Sequence, residues 1–231
     1  MKKIFALFFV AVMFTLTGCS DTTAITTTTC EDVTEISTMT APTEITTEKA
    51  PVVPPKDEEL VKISDYIPDA KIDLKYATED NFTHVVIYAP GTQALLRYGN
   101  VKKLMDAQEI LKEKGYCLVI WDAYRPTEAQ FRLWEVCPDS RYVANPNTGF
   151  SSHSRGNTVD VSIVTAEGKE VSMPTGFDDF SPRADRNYSD LSETERENAL
   201  MLENIMTSCG FEGYSAEWWH YSDTIKYPVI E

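Results

Sequence analysis

Two alternating stretches and one apolar run predict the strands of a small sheet. Residues 71–76 and 158–164 alternate between apolar and polar positions, which is typical of strands with one buried face. In the second stretch the alternation places Asp160 on the face opposite to Val161. The apolar run at residues 116–121 predicts a central strand of the same sheet.

Helical periodicity predicts three helices between these strands. The first spans residues 101–114 and has Gly115 as its C-cap. The second spans residues 126–136 and begins with a proline, which suits the first turn of a helix. The third begins with a capping box at Ser192 and stops at Gly210.

Shorter patterns complete the fold prediction. Residues 85–88 and 218–222 predict two further strands, and residues 92–97 predict a helical turn. Strands come first and last along the chain, with helices between them. This order indicates an α+β fold, in which helices pack on one side of a small antiparallel sheet.

The first 56 residues differ in composition from the rest. Residues 1–18 join two lysines to an apolar run too short for a comfortable bilayer span, which predicts a secretory signal peptide. The run ends in Leu16-Thr17-Gly18-Cys19, which resembles a bacterial lipobox and implies cleavage before Cys19 and a lipid on its sulfur; the alternative is a plain signal peptide. Residues 19–56, rich in threonine and proline, predict a disordered tether. We therefore expect an exported catalytic domain, 57–231, anchored by lipid to the outer face of the cytoplasmic membrane.

Charge and cysteine content narrow the function classes. The formal charge is −15, and the first 55 residues contribute three lysines and six acids, so the domain carries −12. Such a surface repels nucleic acid and anionic headgroups, so we expect no nucleic-acid partner and membrane contact only through the lipid. Cys117, Cys137 and Cys209 lack CxxC spacing, which predicts mostly buried thiols rather than a disulfide framework or a cysteine-ligated metal.

Two of the three histidines stand close in sequence to carboxylates. His153 precedes Asp160 by seven residues, with Gly156 between them to turn the chain, and Glu217 precedes His220 by three. A catalytic zinc needs three protein ligands, an open fourth position and a nearby carboxylate as a base. We predict that His153, Asp160 and His220 ligate zinc and that Glu217 is the base, lying in a bend before the last strand or at a bulge within it.

Other polar residues have less decided roles. Arg125 precedes a proline at a strand-to-helix junction, and either stabilises a developing oxyanion or forms a structural ion pair. His84 has no carboxylate at ligand spacing, which predicts a structural role. Ser151 and Ser152 lack the Gly-x-Ser-x-Gly elbow of serine hydrolases. The two tryptophans after Glu217 are predicted to pack in the core.

Five segments, in order and at compatible spacing, match one known family. They are Lys75-Tyr76-Ala77-Thr78 with Asp80-Asn81-Phe82-Thr83, Tyr124-Arg125-Pro126, Ser151-Ser152-His153-Ser154-Arg155-Gly156 with Asp160, Phe177-Asp178, and Glu217-Trp218-Trp219-His220-Tyr221. From about Asp73 to its end, the chain resembles the zinc D-alanyl-D-alanine dipeptidases of the VanX type. That group includes zinc D-Ala-D-Ala carboxypeptidases and shares a hedgehog-like fold.

The resemblance implies an activity and a set of site residues. It implies one zinc ion per chain held by the three predicted ligands, general base and acid catalysis by Glu217, and transition-state support by Arg125. It also implies that Tyr76, Ser151 and Asp178 line the substrate pocket, with Asp178 a partner for a dipeptide's ammonium group.

Two departures from the family bear on the substrate and its location. Thr158 stands where an alanine is frequent, and residues 132–150 do not align, although loops of this kind decide which peptide length fits. The signal-like leader is a departure from the resistance enzymes, which are cytoplasmic.

The first hypothesis is D-Ala-D-Ala hydrolysis by water that zinc activates and Glu217 deprotonates. The alternatives are a D,D-carboxypeptidase acting on peptidoglycan stem peptides and a non-catalytic cell-wall-binding lipoprotein, against which Glu217 argues.

Overall fold

The computed structural model describes residues 53–230. The predicted signal peptide, Cys19 and nearly all of the tether lie outside these residues, so those expectations stay predictions. Among the helices of residues 53–230, none combines the length and the apolar character that a membrane span requires.

Seven strands and four α-helices make up the described region. The strands are β1 (Leu60–Lys62), β2 (Lys71–Ile72), β3 (Leu95–Arg97), β4 (Tyr116–Asp122), β5 (Thr158–Thr165), β6 (Phe211–Gly213) and β7 (His220–Asp223). The α-helices are α1 (Ile63–Tyr66), α2 (Tyr98–Glu113), α3 (Thr127–Val136) and α4 (Glu193–Ser208). Three short 3₁₀ helices lie at Lys75–Ala77, Ser152–Arg155 and Pro182–Ala184.

Five of the strands form one sheet in the order β2-β4-β5-β7-β6. The pairs β4–β5, β5–β7 and β6–β7 are antiparallel, as the sequence predicted. The edge pair β2–β4 is parallel, because a long connection that includes α2 carries the chain back to the same end of the sheet. The remaining strands, β1 and β3, form a separate antiparallel pair.

The two faces of the sheet have different surroundings. Leu118 pairs with Ile163, and Ile120 with Val161, and all four join the hydrophobic core that includes buried residues of α2 and α4. Full burial of such a side chain contributes about 1.5–3 kcal/mol. The opposite face, which includes Ser162, lines a groove of about 600 Å³. The predicted alternation of β5 is confirmed, and it directs Asp160 away from the core.

Several local predictions were wrong. Residues 85–88 form a loop, in which the amides of Ile87 and Tyr88 both donate to the carbonyl of Tyr76 rather than to a strand. Residues 92–97 contain β3 instead of a helical turn, because pairing with β1 satisfies their backbone groups. The strand predicted for 71–76 ends at Ile72.

The last strand and the cysteines also differ from prediction. β7 begins at His220 rather than at residue 218, because the preceding residues form a turn. Cys117, Cys137 and Cys209 are half-buried where mostly buried thiols were predicted, and no disulfide joins the three. Trp218 and Trp219 are fully buried, as predicted.

Candidate metal centre

A short 3₁₀ turn carries His153 and lies between β5 and the long loop that follows α3. The Ser151 hydroxyl accepts a hydrogen bond from the His153 amide and so caps the 3₁₀ helix. Gly156 ends this helix with a φ of +67°, a left-handed conformation that favours glycine. A Cβ there would also lie 2.9 Å from Leu60 Cδ2. The glycine therefore lets the chain reverse sharply into β5.

The ring of His153 is held in one orientation by a backbone carbonyl. Nδ1 donates to the carbonyl oxygen of Ala123 at 2.8 Å, and Asp122 Oδ2 lies 3.6 Å from the same nitrogen. The side chain is 2% exposed. With its proton on Nδ1, the ring presents Nε2 as a lone-pair ligand, an arrangement common at metal-bound histidines.

Strand register brings the other two predicted ligands together. Asp160 on β5 pairs directly with His220 on β7. His153 Nε2 lies 3.3 Å from Asp160 Oδ2, and His220 Nδ1 lies 3.0 Å from Asp160 Oδ1. The two imidazole nitrogens are 3.4 Å apart. Residues almost seventy positions apart therefore meet around one point.

These separations fit a tetrahedral zinc ion. Zinc bonds of about 2.0–2.1 Å to nitrogen and oxygen place tetrahedral ligands about 3.3 Å from one another. Asp160 Oδ1 is buried and makes no hydrogen bond within residues 53–230, as expected for an oxygen reserved for a cation. Although burial opposes its ionisation, His153 and His220 hold the pKa of Asp160 well below its usual range. Three ligands leave one coordination position open, which is characteristic of catalytic zinc sites.

Glu217 lies beside this cluster in the turn that precedes β7. Its amide donates to the Tyr214 carbonyl, and its own carbonyl accepts from the amide of His220. The bend, rather than a bulge in the strand, therefore places the carboxylate, and Glu217 Oε2 lies 3.5 Å from His220 Nδ1. Burial raises the pKa of Glu217, and the neighbouring Asp160 carboxylate adds to this effect. A carboxylate of raised pKa next to an open metal position is suited to proton transfer.

Arg125 forms an ion pair with Asp122, a contact that is compatible with either role that the sequence left open. Its Nε and Nη2 donate to Asp122 Oδ2 at 3.1 and 2.5 Å, and Nη1 donates to Gln130. Its guanidinium also lies 4.8 Å from the ring centre of Tyr76. An irregularity in β4 brings Asp122 opposite Asp160, so Asp122 links the arginine to the metal ligands. Arg125 is thus held rigidly near the site.

Tyr76 and Asp178 form a pair near the metal ligands. The Tyr76 hydroxyl donates to Asp178 Oδ2 at 2.8 Å. Burial raises the pKa of Asp178 well above its usual value, the Tyr76 hydrogen bond counteracts this, and the Asp160 carboxylate adds to the rise. A cation placed beside Asp178 would offset this cost of ionising its carboxyl group.

Two features that support the metal ligands were not found from the sequence. Asp122 is fully buried, and its position at the end of a predicted strand could have signalled it. Thr158 and Ser222 share a hydrogen bond of 2.8 Å, and Ser222 Oγ lies 3.5 Å from His220 Nε2, so the unusual threonine supports a predicted ligand. His84, expected to be structural, is exposed and lines the groove, and it is not a member of the three-residue cluster.

Comparison with known proteins agrees with this geometry. Residues 56–227 match the family model Peptidase_M15, described as D-ala-D-ala dipeptidase. The chain belongs to this family. It is 38% identical over 174 residues to a D-alanyl-D-alanine dipeptidase of Escherichia coli, a match that covers 74% of this chain and 89% of the relative. It is 34% identical over 168 residues to one of Enterococcus faecium, covering 64% and 83%.

Similarity to solved structures is weaker. VanYB in complex with D-Alanine-D-Alanine has a TM-score of 0.37 and 18% identity, covering 59% of this chain and 75% of the other. The LdcB LD-carboxypeptidase has a TM-score of 0.40 and 16% identity, covering 74% and 70%. The family assignment and the three-ligand geometry together identify this Peptidase_M15 member as a zinc metallopeptidase.

Proposed function

We propose that this peptidase hydrolyses the dipeptide D-Ala-D-Ala. The observation that carries the proposal is the convergence of His153, Asp160 and His220 on one point with Glu217 beside it, in a chain that belongs to a family described by this activity. These three ligands would hold zinc, which supplies Lewis-acid activation of water and of the scissile carbonyl. A purely structural site would need no carboxylate base next to it.

Glu217 moves the protons of the reaction. Its partly buried carboxylate takes the proton of the attacking water and then gives it to the leaving amine. The raised pKa of Glu217 strengthens it as a base toward the attacking water. Arg125, fixed by Asp122 and Gln130, stabilises negative charge that develops on the carbonyl oxygen.

Asp178 and Tyr76 select the amino end of the substrate. Asp178 is half-buried, and a ligand that brings a positive charge offsets the cost of ionising its carboxyl group. The free ammonium group of a dipeptide supplies that charge, whereas the amide of a longer stem peptide does not. Ser151 stands two residues before His153 and is assigned to the same pocket by its place in the motif. The proposed preference is therefore for free dipeptides.

A comparison of matched substrates tests this preference. We expect kcat/KM for D-Ala-D-Ala to exceed that for N-acetyl-D-Ala-D-Ala by about 100-fold, because the acetylated substrate leaves the Asp178 carboxylate without its partner. A pentapeptide ending in D-Ala-D-Ala serves as the second arm. Faster cleavage of the pentapeptide than of the dipeptide would favour the D,D-carboxypeptidase function instead.

We also propose that the enzyme is exported and held outside the cytoplasmic membrane by a lipid on Cys19. The support is the signal-like stretch at residues 1–18 that ends in Leu16-Thr17-Gly18-Cys19. Cys19→Ala should move the protein from the membrane fraction to the medium, and Cys30→Ala, in the tether, is the matched control. Unchanged fractionation of Cys19→Ala would contradict the anchor.

A further inference from the structure

One half-buried arginine outside the metal site, Arg186, holds the turn that carries Glu217. Arg186 Nε donates to the carbonyl of Tyr214 at 2.9 Å, and Nη2 donates to the carbonyls of Trp218 and His220 at 3.0 and 3.1 Å. These acceptors lie three residues before Glu217, one after it and three after it. The guanidinium therefore hydrogen-bonds to the backbone on both sides of Glu217 but not to the Glu217 carboxylate.

The remaining N–H groups of Arg186 also have acceptors. Nη1 donates to the hydroxyls of Tyr188 and Tyr221, at 3.4 and 3.2 Å, and lies 3.2 Å from Glu203 Oε2 on α4. All five donors of the guanidinium are thus used, and the guanidinium lies 4.4 Å from the ring centre of Tyr221. With 9% of the side chain exposed, this arrangement is rigid and largely shielded from water.

The neighbouring strand β6 leaves space for this guanidinium. A Cβ built on Gly213 of β6 would lie 2.4 Å from Arg186 Cζ and 2.6 Å from Nε, closer than atoms can approach. Glycine at 213 therefore leaves room for the charged group against the turn. The backbone of the same loop adds to the contact, since the Arg186 amide donates to the Ser215 carbonyl.

We propose that Arg186 is a positioning residue for the catalytic base. By binding three carbonyls around Glu217, Arg186 fixes the direction in which the carboxylate faces the open side of the metal cluster. A planar guanidinium with five fixed donors can do this, whereas an ammonium group cannot match the same set. The inference rests on the proposed function of Glu217, and it assigns Arg186 no contact with substrate.

Steady-state kinetics of zinc-loaded variants test the proposal. Arg186→Ala should lower kcat for D-Ala-D-Ala by about 10- to 100-fold, in the range for residues that orient a site, with zinc content retained and KM within about 3-fold. Arg186→Lys should recover little of this loss. Arg183→Ala is the matched control, because the Arg183 side chain hydrogen-bonds to Glu195 and the Asp190 carbonyl and to none of the carbonyls that Arg186 binds.

Chemical rescue separates positioning from general stabilisation. Methylguanidinium at millimolar concentration should restore part of the kcat of Arg186→Ala, and methylammonium should not. If Arg186→Ala does not fold, Gly213→Ala provides the same test, because its Cβ displaces the guanidinium while the arginine remains in the chain. That variant should lose kcat by about 10-fold.

The outcomes distinguish this inference from the proposed function. A kcat per zinc-loaded enzyme within 2-fold of the Arg183→Ala control overturns the role of Arg186, as does loss of zinc in proportion to activity. Failure of both wild type and Arg183→Ala to cleave D-Ala-D-Ala would instead overturn the proposed function.

Discussion

The two histidine ligands are held in different ways. His153 is almost fully buried and donates from Nδ1 to a backbone carbonyl at 2.8 Å. His220 is 16% exposed, and within residues 53–230 its Nε2 has only the Ser222 hydroxyl, at 3.5 Å, as a partner. His153 is thus fixed through its imidazole ring, whereas His220 is fixed through the backbone turn that also carries Glu217. The comparison teaches that His153 has a support of its own, whereas His220 shares its support with the base.

Removal of either histidine should have the largest effect, and the effect should be the same for both. His153→Ala and His220→Ala should each lose zinc and lower kcat/KM by about 10³-fold or more, since the Lewis acid is lost. Metal analysis of the purified variants, alongside the D-Ala-D-Ala assay, measures both. His84→Ala is the control, and unchanged zinc content in His220→Ala would refute its assignment as a ligand.

Replacement of the base should separate catalysis from metal binding. Glu217→Gln keeps the shape of the side chain but cannot accept the proton, so kcat should fall by about 10²- to 10⁴-fold while zinc content stays at one per chain. The same metal analysis and steady-state assay apply. Retained turnover would remove Glu217 from the mechanism.

Asp178→Asn should affect binding and stability in opposite directions. The variant cannot pair with the substrate ammonium, so KM should rise by about 10- to 100-fold. Burial raises the pKa of Asp178 above its unfolded value, so the ionised form opposes folding and the unfolding free energy falls as pH rises between those two values. Asparagine has no such charge, and the melting temperature of the substrate-free variant at pH 8 should exceed that of wild type. A lower melting temperature would contradict this.

The smallest effect is expected at the hydroxyl behind His220. Ser222→Ala removes a long hydrogen bond to Nε2, so zinc affinity should fall only several-fold, below the usual 10- to 100-fold for closely bound partners of metal ligands. Thr158→Ala should have a still smaller effect, because Thr158 reaches His220 only through Ser222. Competition with a zinc-binding dye measures both affinities. A loss of zinc affinity above 100-fold in Ser222→Ala would show that His220 is held as tightly as His153.

The sequence predicted the metal cluster better than its supports. Histidines are scarce, so His153 and His220 stood out, and the alternation of β5 placed Asp160 on the correct face. Arg186 and the Ala123 carbonyl were not predictable in this way. Their roles come from three-dimensional proximity, and a backbone carbonyl has no side-chain signal in the sequence.

Local structure was predictable where the residues of a single helix or strand are enough to determine it. The helix after the Ser192 capping box and the apolar strand β4 appear as expected, because propensity and periodicity act within a few residues. The strand predicted at 85–88 fails because the Asn81 side chain binds the carbonyls of Thr78 and Val85 and stabilises a loop. The parallel pairing of β2 depends on a long connection, which periodicity does not report.

Zinc content measured together with D-Ala-D-Ala cleavage, before and after chelation, tests the central claim most directly. The convergence of two imidazoles and one carboxylate predicts one zinc ion per chain, loss of cleavage when a chelator removes it, and recovery when zinc is restored. Full cleavage by metal-free protein would contradict the account.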